Sequence, residues 1–332
     1  VVARRLHFWQ NALGEVRMQR RPIEKFAMVL MVIMCSVCPG SLGAQSAAPL
    51  DLPFQTVSWD KLRFQGDNWA ADISANITLD VLPAAAQATL LKPDQGVPFE
   101  AVGPEILHLS LGMMMNMVFN HPSVEIFNEV WFNPGDAQAL GRYRLRQGWN
   151  DFAKTYRFTA QGVFRCNREP RDAAEARREP HQWADAGDRF YPYELEQLGC
   201  AAVTDRLLLI YIVSAAADLR ADQSLALCVF GKRQLHRVIL MPDGKENIAV
   251  DFVVNELPSK MRHQGKHEAL KIKLLVEPLA SALKKPENFS FLGLHKNIVI
   301  YIDPEDGLPL QISGKINKIA SSDLKLRYVR YK

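Results

Sequence analysis

Four methionines, Met113, Met114, Met115 and Met117, stand within five residues, with His108 before them and His121 after. Thioether and imidazole ligands at that density can hold Cu(I). The neighbouring Val118 and Phe119 favour the other reading, a pliable stretch of core, because methionine fills irregular gaps. His263 and His267 lie four apart with Glu268 beside them, a spacing that suits a metal if one helix face carries it. Arg262, Gln264, Gly265 and Lys266 around them show no helical pattern, so the segment reads as an exposed turn. Arg142, Arg144 and Arg146 alternate with Tyr143 and Leu145, and Lys154 and Arg157 follow on the next strand-like run. Such a stripe is a candidate partner surface for anionic headgroups or sugars, and it is equally the wet face of an amphipathic hairpin. No Gly-x-Ser-x-Gly elbow and no glycine-rich phosphate loop occurs, and the carboxylates form no recognisable motif. No catalytic, cofactor-binding or metal-ligating residue is assigned, and no cofactor is expected.

The elements that would position these groups are mostly strands. Trp69, Ala71, Ile73, Ala75, Ile77, Leu79 and Val81 alternate with polar or small residues over thirteen positions, the period of a half-buried strand. Further strands are expected at 123–132, 139–146, 152–159 and 162–167. Their junctions, at 133–136, 147–148 and 161–162, are short and rich in Gly, Pro and Asn, as hairpins require. Residues 167–199 carry no sustained apolar period and read as a long surface loop. Thr204 and Asp205 can cap a helix over 207–217 that is apolar all round, which suits burial against a sheet. Strands return at 224–231, 235–241, 247–254, 269–277, 297–302, 309–317 and 323–331, with turns at 242–244 and 303–307. The expected fold class is mainly β: a long antiparallel, strongly curved sheet or open barrel with one buried helix. Two sandwiches divided at 167–199 are the alternative.

Residues 26–37 form an apolar run preceded by Arg20, Arg21 and Lys25 and broken by Pro39 and Gly40. This is the pattern of a signal peptide, and twelve residues fall short of the roughly 20 that a spanning helix needs. Residues 1–17 read as a non-native upstream extension before Met18, residues 18–44 as the export signal, and residues 45–332 as one β-rich domain. Neither Cys35 nor Cys38 follows the small residue that a lipoprotein signal requires. Six of the 40 basic and two of the 36 acidic side chains precede residue 45, leaving 34 of each. A neutral mature chain disfavours nucleic acid as a partner. Three cysteines remain after cleavage, and in an oxidising compartment one pair is expected. Cys166 and Cys200 are the candidate disulfide, closing the 167–199 loop for roughly 3 to 4 kcal/mol. Cys228, inside an apolar run, is read as a small hydrophobe.

Scattered stretches, namely Trp131-Phe132-Asn133-Pro134, Lys154-Thr155-Tyr156-Arg157-Phe158 running into Gly162-Val163, Leu208-Leu209-Ile210-Tyr211, Phe291-Leu292-Gly293-Leu294, and Asp303 through Leu308-Pro309 to Gly314, together resemble an exported bacterial family, the domain of unknown function numbered 3108. The resemblance implies a cell-envelope setting and a curved sheet loosely like periplasmic lipoprotein carriers. It carries over no site residue. The resulting expectation is an exported, periplasmic or secreted, non-catalytic binding or carrier protein for an apolar or lipid-like ligand. An envelope assembly factor working through a protein partner is the alternative, and an envelope hydrolase the third reading.

Overall fold

The computed structural model describes residues 57–68, 71–117, 123–256, 259–279, 287–316 and 320–332. Residues 1–44, on which the expected upstream extension and export signal with Cys35 and Cys38 fall, lie outside the described residues, as do Trp69 and His121. The first half of the chain supplies β1 (Trp59–Asn68), β2 (Ala71–Pro83), β3 (Glu105–Met117), β4 (Val124–Phe132), β5 (Ala139–Gln147), β6 (Phe152–Thr159) and β7 (Gly162–Glu169). Two short strands, β8 (Ala184–Asp185) and β9 (Arg189–Pro192), and one helical turn, α1 (Leu195–Leu198), lead to β10 (Val203–Asp205) and the helices α2 (Leu209–Ala215) and α3 (Ala217–Arg220). The remainder is β11 (Leu225–Phe230), β12 (Leu235–Glu256), β13 (Ser259–Pro278), β14 (Lys296–Ile302), β15 (Pro309–Ile316) and β16 (Ala320–Tyr331).

All sixteen strands belong to one sheet. Strands β1 to β7 pair in sequence, β16 pairs with β1, and the order then runs back through β15, β14, β13 and β12 to β11 and β10. The pairings are antiparallel except two, β10 with β11 and β12 with β16. The second of these closes β12, β13, β14, β15 and β16 into a ring, since β12 pairs with β13 over its whole length and with β16 near its far end. Closure of this kind removes exposed strand edges.

The sheet wraps α2, whose seven residues are all buried. Asp205 starts the helical segment by accepting the Leu207 amide at 2.8 Å, as a side-chain cap should. The Tyr211 hydroxyl donates to the Pro134 carbonyl at 2.8 Å, and the Trp59 indole donates to Ser214 Oγ at 3.1 Å. The helix is thereby tied to both flanks of the sheet. Gly307 closes the far side at φ +72, where an added Cβ would lie 2.7 Å from the Ser214 carbonyl oxygen.

Several expectations need correction. The strands expected at 235–241 and 247–254 are one strand, β12, and the turn at 242–244 is a bulge in it, with a register shift between Pro242 and Lys245. His263 and His267 lie in β13, not in a turn; His263 stacks on Phe252 and His267 meets Asp303 at 2.8 Å. The 167–199 segment is no bare loop, because β8 and β9 both pair with β7 and bury Trp183 and Tyr191. The disulfide joins Cys200 to Cys228, with Cα atoms 5.8 Å apart, and Cys166 is the free thiol. The reason is the β10–helix–β11 crossover, which sets Val203 beside Cys228 in a parallel pair. Among the described residues no helix is long and apolar enough to cross a membrane.

Candidate functional site

Strand register decides which side chains meet inside the curve. On β5, Arg142 lies opposite Val130 of β4 and Tyr156 of β6, Arg144 opposite Asn128 and Lys154, and Arg146 opposite Ile126 and Phe152. On β3 the same face carries Leu109, Leu111, Met113 and Met115. The arginine stripe therefore lies on the inner face, where Arg142 meets Asp205 of β10 and Arg144 reaches the same cavity. The expectation of a wet outer face is corrected here: alternation shows that the three arginines share a side, but not that this side faces water. Arg142 is only 3% exposed. Arg157, counted with the stripe, faces the other way and donates to the carbonyls of Leu140 and Phe99 at 2.9 Å.

Burial of Arg142 is balanced by specific partners. Its Nη1 donates to Asp205 Oδ2 at 2.5 Å and to the Gly231 carbonyl at 3.0 Å, and its guanidinium lies 3.7 Å from the centre of the Tyr156 ring. Burial pulls the guanidinium pKa down, but Asp205 and Tyr156 outweigh it and leave the value raised. Asp205 serves both structures at once, one oxygen capping the helix and the other holding Arg142.

The neighbouring cations have no such balance. Arg144 stacks over Phe152 at 5.1 Å, Lys154 over the same ring at 3.9 Å, and Arg146 over Trp149 at 5.4 Å. No carboxylate is within salt-bridge reach of the three among the described pairs. Burial, then the charges of Arg206, Arg142 and Arg146, push Arg144 down to about 9. Burial, then Arg165 and Arg144, push Lys154 down to about 8. Aromatic faces hold these cations in place, and ring quadrupoles do not neutralise their charge.

Arg142 and Arg144, but not Arg146 or Lys154, border a cavity of about 180 Å³. One wall is apolar, made by Leu111, Met113, Met115, Ile126, Phe291 and Leu292. Exposure rises along β3 from Leu111 (2%) through Met113 (6%) to the half-buried Met115, so this wall runs from the core outward. The other wall carries Arg142, Arg144, Arg206 and Lys232 against a single carboxylate, Asp205. Arg206 is fixed by donating to Ser290 Oγ at 2.8 Å and to the Ser290 carbonyl at 3.0 Å. Burial first, then Arg142, lowers its pKa. Glu287 partly offsets the charge of Arg206 and Lys232 from nearby, and its Oε1 accepts from the Lys232 amide at 2.6 Å and meets His236 at 3.2 Å. His295 at the rim faces the Phe289 carbonyl through Nδ1 at 3.3 Å.

The turn at 291–294 shapes the apolar wall. Phe291 and Leu294 exchange both backbone hydrogen bonds, at 2.9 and 2.8 Å, and Leu292 and Gly293 both take positive φ, +48 and +85. This is the geometry of a type I′ turn, which favours Asn or Gly at its first central position. A leucine there costs roughly 1–2 kcal/mol, and its side chain forms part of the cavity lining.

The methionine–histidine cluster does not assemble as a metal site. Met113 and Met115 face the cavity, whereas His108 and Met114 lie on the opposite side of β3 by register. His108 stacks on Trp131 at 4.9 Å and approaches Glu129 at 3.2 Å. No cluster of three or more His, Cys, Asp or Glu side chains suited to a metal occurs among the described residues. Sequence reasoning missed Arg206 and Lys232, whose only signal was position: one follows the helix cap, the other a buried strand.

No family model matches the chain, and no curated protein matches it. Among solved structures, the crystal structure of a β-barrel-like protein of domain of unknown function DUF1849 from Brucella abortus superposes with a TM-score of 0.40 at 5% identity, covering 83% of this chain and 98% of that one.

Proposed function

We propose that this chain is an exported, non-catalytic binding or carrier protein of the bacterial cell envelope, with a lipid-like ligand held inside its curved sheet. The observation that carries the reading is the two-sided cavity: an apolar wall that reaches solvent along β3, set against a wall of cations. Ligand sites typically combine predominantly apolar linings with a few placed polar groups. The ionisable groups that acid–base chemistry would need are engaged elsewhere, Asp205 by Arg142 and the helix cap, and His295 by the Phe289 carbonyl. Export and the cell-envelope setting rest on the signal-like residues 18–44 and on the resemblance to the family numbered 3108. The Phe291-Leu292-Gly293-Leu294 stretch of that resemblance contributes to the cavity wall.

Native mass spectrometry of protein recovered from a bacterial periplasm, with lipid extraction, tests this. A stoichiometric acyl lipid is the expected result. A protein that arrives empty and takes up no lipid in vitro overturns the carrier reading.

A further inference from the structure

We propose that the cationic wall is a recognition site for an oxyanion, a carboxylate or phosphate carried at the head of an aliphatic chain. The proposal rests on the lipid-binding reading and adds to it the chemical class of the polar end.

The argument begins with an imbalance of charge. Arg144, Arg206 and Lys232 border the same cavity as the Arg142–Asp205 pair, and Asp205 has no oxygen to spare for them. Like charges held together away from bulk water repel strongly, because the local dielectric is low. Proteins keep such clusters where an anion relieves them, as at phosphate and carboxylate sites. The Nε atom of Arg144 is buried without a hydrogen-bond partner, so the group has donor capacity still unused.

Positioning agrees with this. Arg144 is held on Phe152 and Arg206 on Ser290, so the donors are fixed before a ligand arrives, and preorganised donors lose less entropy on binding. A volume of about 180 Å³ equals the share of roughly six water molecules. That is room for a carboxylate or phosphate and the first few carbons of a chain, and the remaining carbons would follow Met113 and Met115 outward. A neutral head would leave the cations unrelieved, and a cationic head would add to them.

Isothermal titration calorimetry of the purified protein with dodecanoate, dodecyl phosphate, dodecanol and inorganic phosphate tests the proposal, alongside Arg144→Gln, Arg144→Lys and Lys232→Gln. Lys232 is exposed, so its substitution spares the fold if Arg144→Gln does not. The two chain-bearing anions are expected to bind at least tenfold more tightly than dodecanol. Arg144→Gln or Lys232→Gln should weaken them at least tenfold, Arg144→Lys should recover part of the loss, and dodecanol binding should not respond. Dodecanol binding as tight as dodecanoate, or anion affinities unmoved by both glutamine variants, overturns the oxyanion site and leaves the lipid reading standing. Inorganic phosphate that binds as well as dodecyl phosphate upholds the oxyanion site and overturns the lipid reading. Binding of none of the four overturns both.

Discussion

Asp205→Asn isolates the Arg142–Asp205 ion pair from everything else that Asp205 does. Asparagine caps a helix about as well as aspartate, so the Leu207 amide keeps an acceptor while Arg142, 3% exposed, loses its counter-charge. Removing one member of a buried pair costs about 3–5 kcal/mol. The contacts of Arg142 with the Gly231 carbonyl and the Tyr156 ring survive and place the expectation near the lower end, about 3 kcal/mol. At roughly 2–4 °C per kcal/mol for chains of this class, Tm should fall by about 6–12 °C. Urea denaturation should show the midpoint moving at constant slope. The double variant Asp205→Asn with Arg142→Met removes both charges and keeps the cap, so it should recover more than half of the loss. A loss below about 1 kcal/mol for Asp205→Asn, or a double variant no more stable than the single one, refutes the claim that this pair holds β5 against β10.

Replacing Cys200 or Cys228 by Ser opens a bridge across 28 positions and should cost about 3 to 4 kcal/mol by loop-entropy reasoning, measured by denaturation with and without reductant. Denatured, unreduced protein lacking residues 1–44 should show one thiol, Cys166. In the native state that thiol should label slowly at pH 8, because burial and then Asp188 push it up to about 12. Lys154 faces Arg144 and Arg142 on β5 and Arg165 and Glu169 on β7. Its folded pKa of about 8 lies below the usual lysine value, so the unfolded chain holds more protons between the two. Stability should therefore rise with pH across that window, and Lys154→Met should remove this contribution. Gly307→Ala places a Cβ 2.7 Å from the Ser214 carbonyl oxygen at positive φ, and should destabilise by about 1–3 kcal/mol.

The β-rich class and most strand positions were legible because β2 keeps a clean period of two and β4 to β7 are joined by short turns rich in Gly, Pro and Asn. Strands β1 and β3 and the short β8, β9 and β10 were not. In β1 a register shift between Trp59 and Lys61 breaks the alternation. In β3 Gly112 and Met114 interrupt the polar face that His108, Ser110 and Asn116 begin and end, so the methionine run reads as core. The arginines of the site were visible as a stripe, yet the side they face depends on Asp205, which lies 63 residues away from Arg142. Local pattern carries no information about that pairing. Asp205 was recognised for its cap, a contact two residues long, and not for the ion pair. The disulfide was misassigned for a related reason: the bridge follows from a parallel crossover, and hairpin reasoning supplies only antiparallel neighbours.

The ring closed by β16 also constrains the order in which the molecule can assemble. Strand β16 pairs with β1, beside which Arg330 meets Asp60 across 270 positions, and also with the far end of β12. Neither edge is covered until the last strand in sequence order is available. Contacts this distant carry a large loop-closure cost before they return any stability, and folding dominated by them is slow. The chain should therefore pass through a long-lived state with one edge of β1 and the far end of β12 uncovered, a template for association with other chains. A protein built this way depends on being shielded during that interval, so its yield should be limited by the rate of ring closure more than by the stability of the finished sheet.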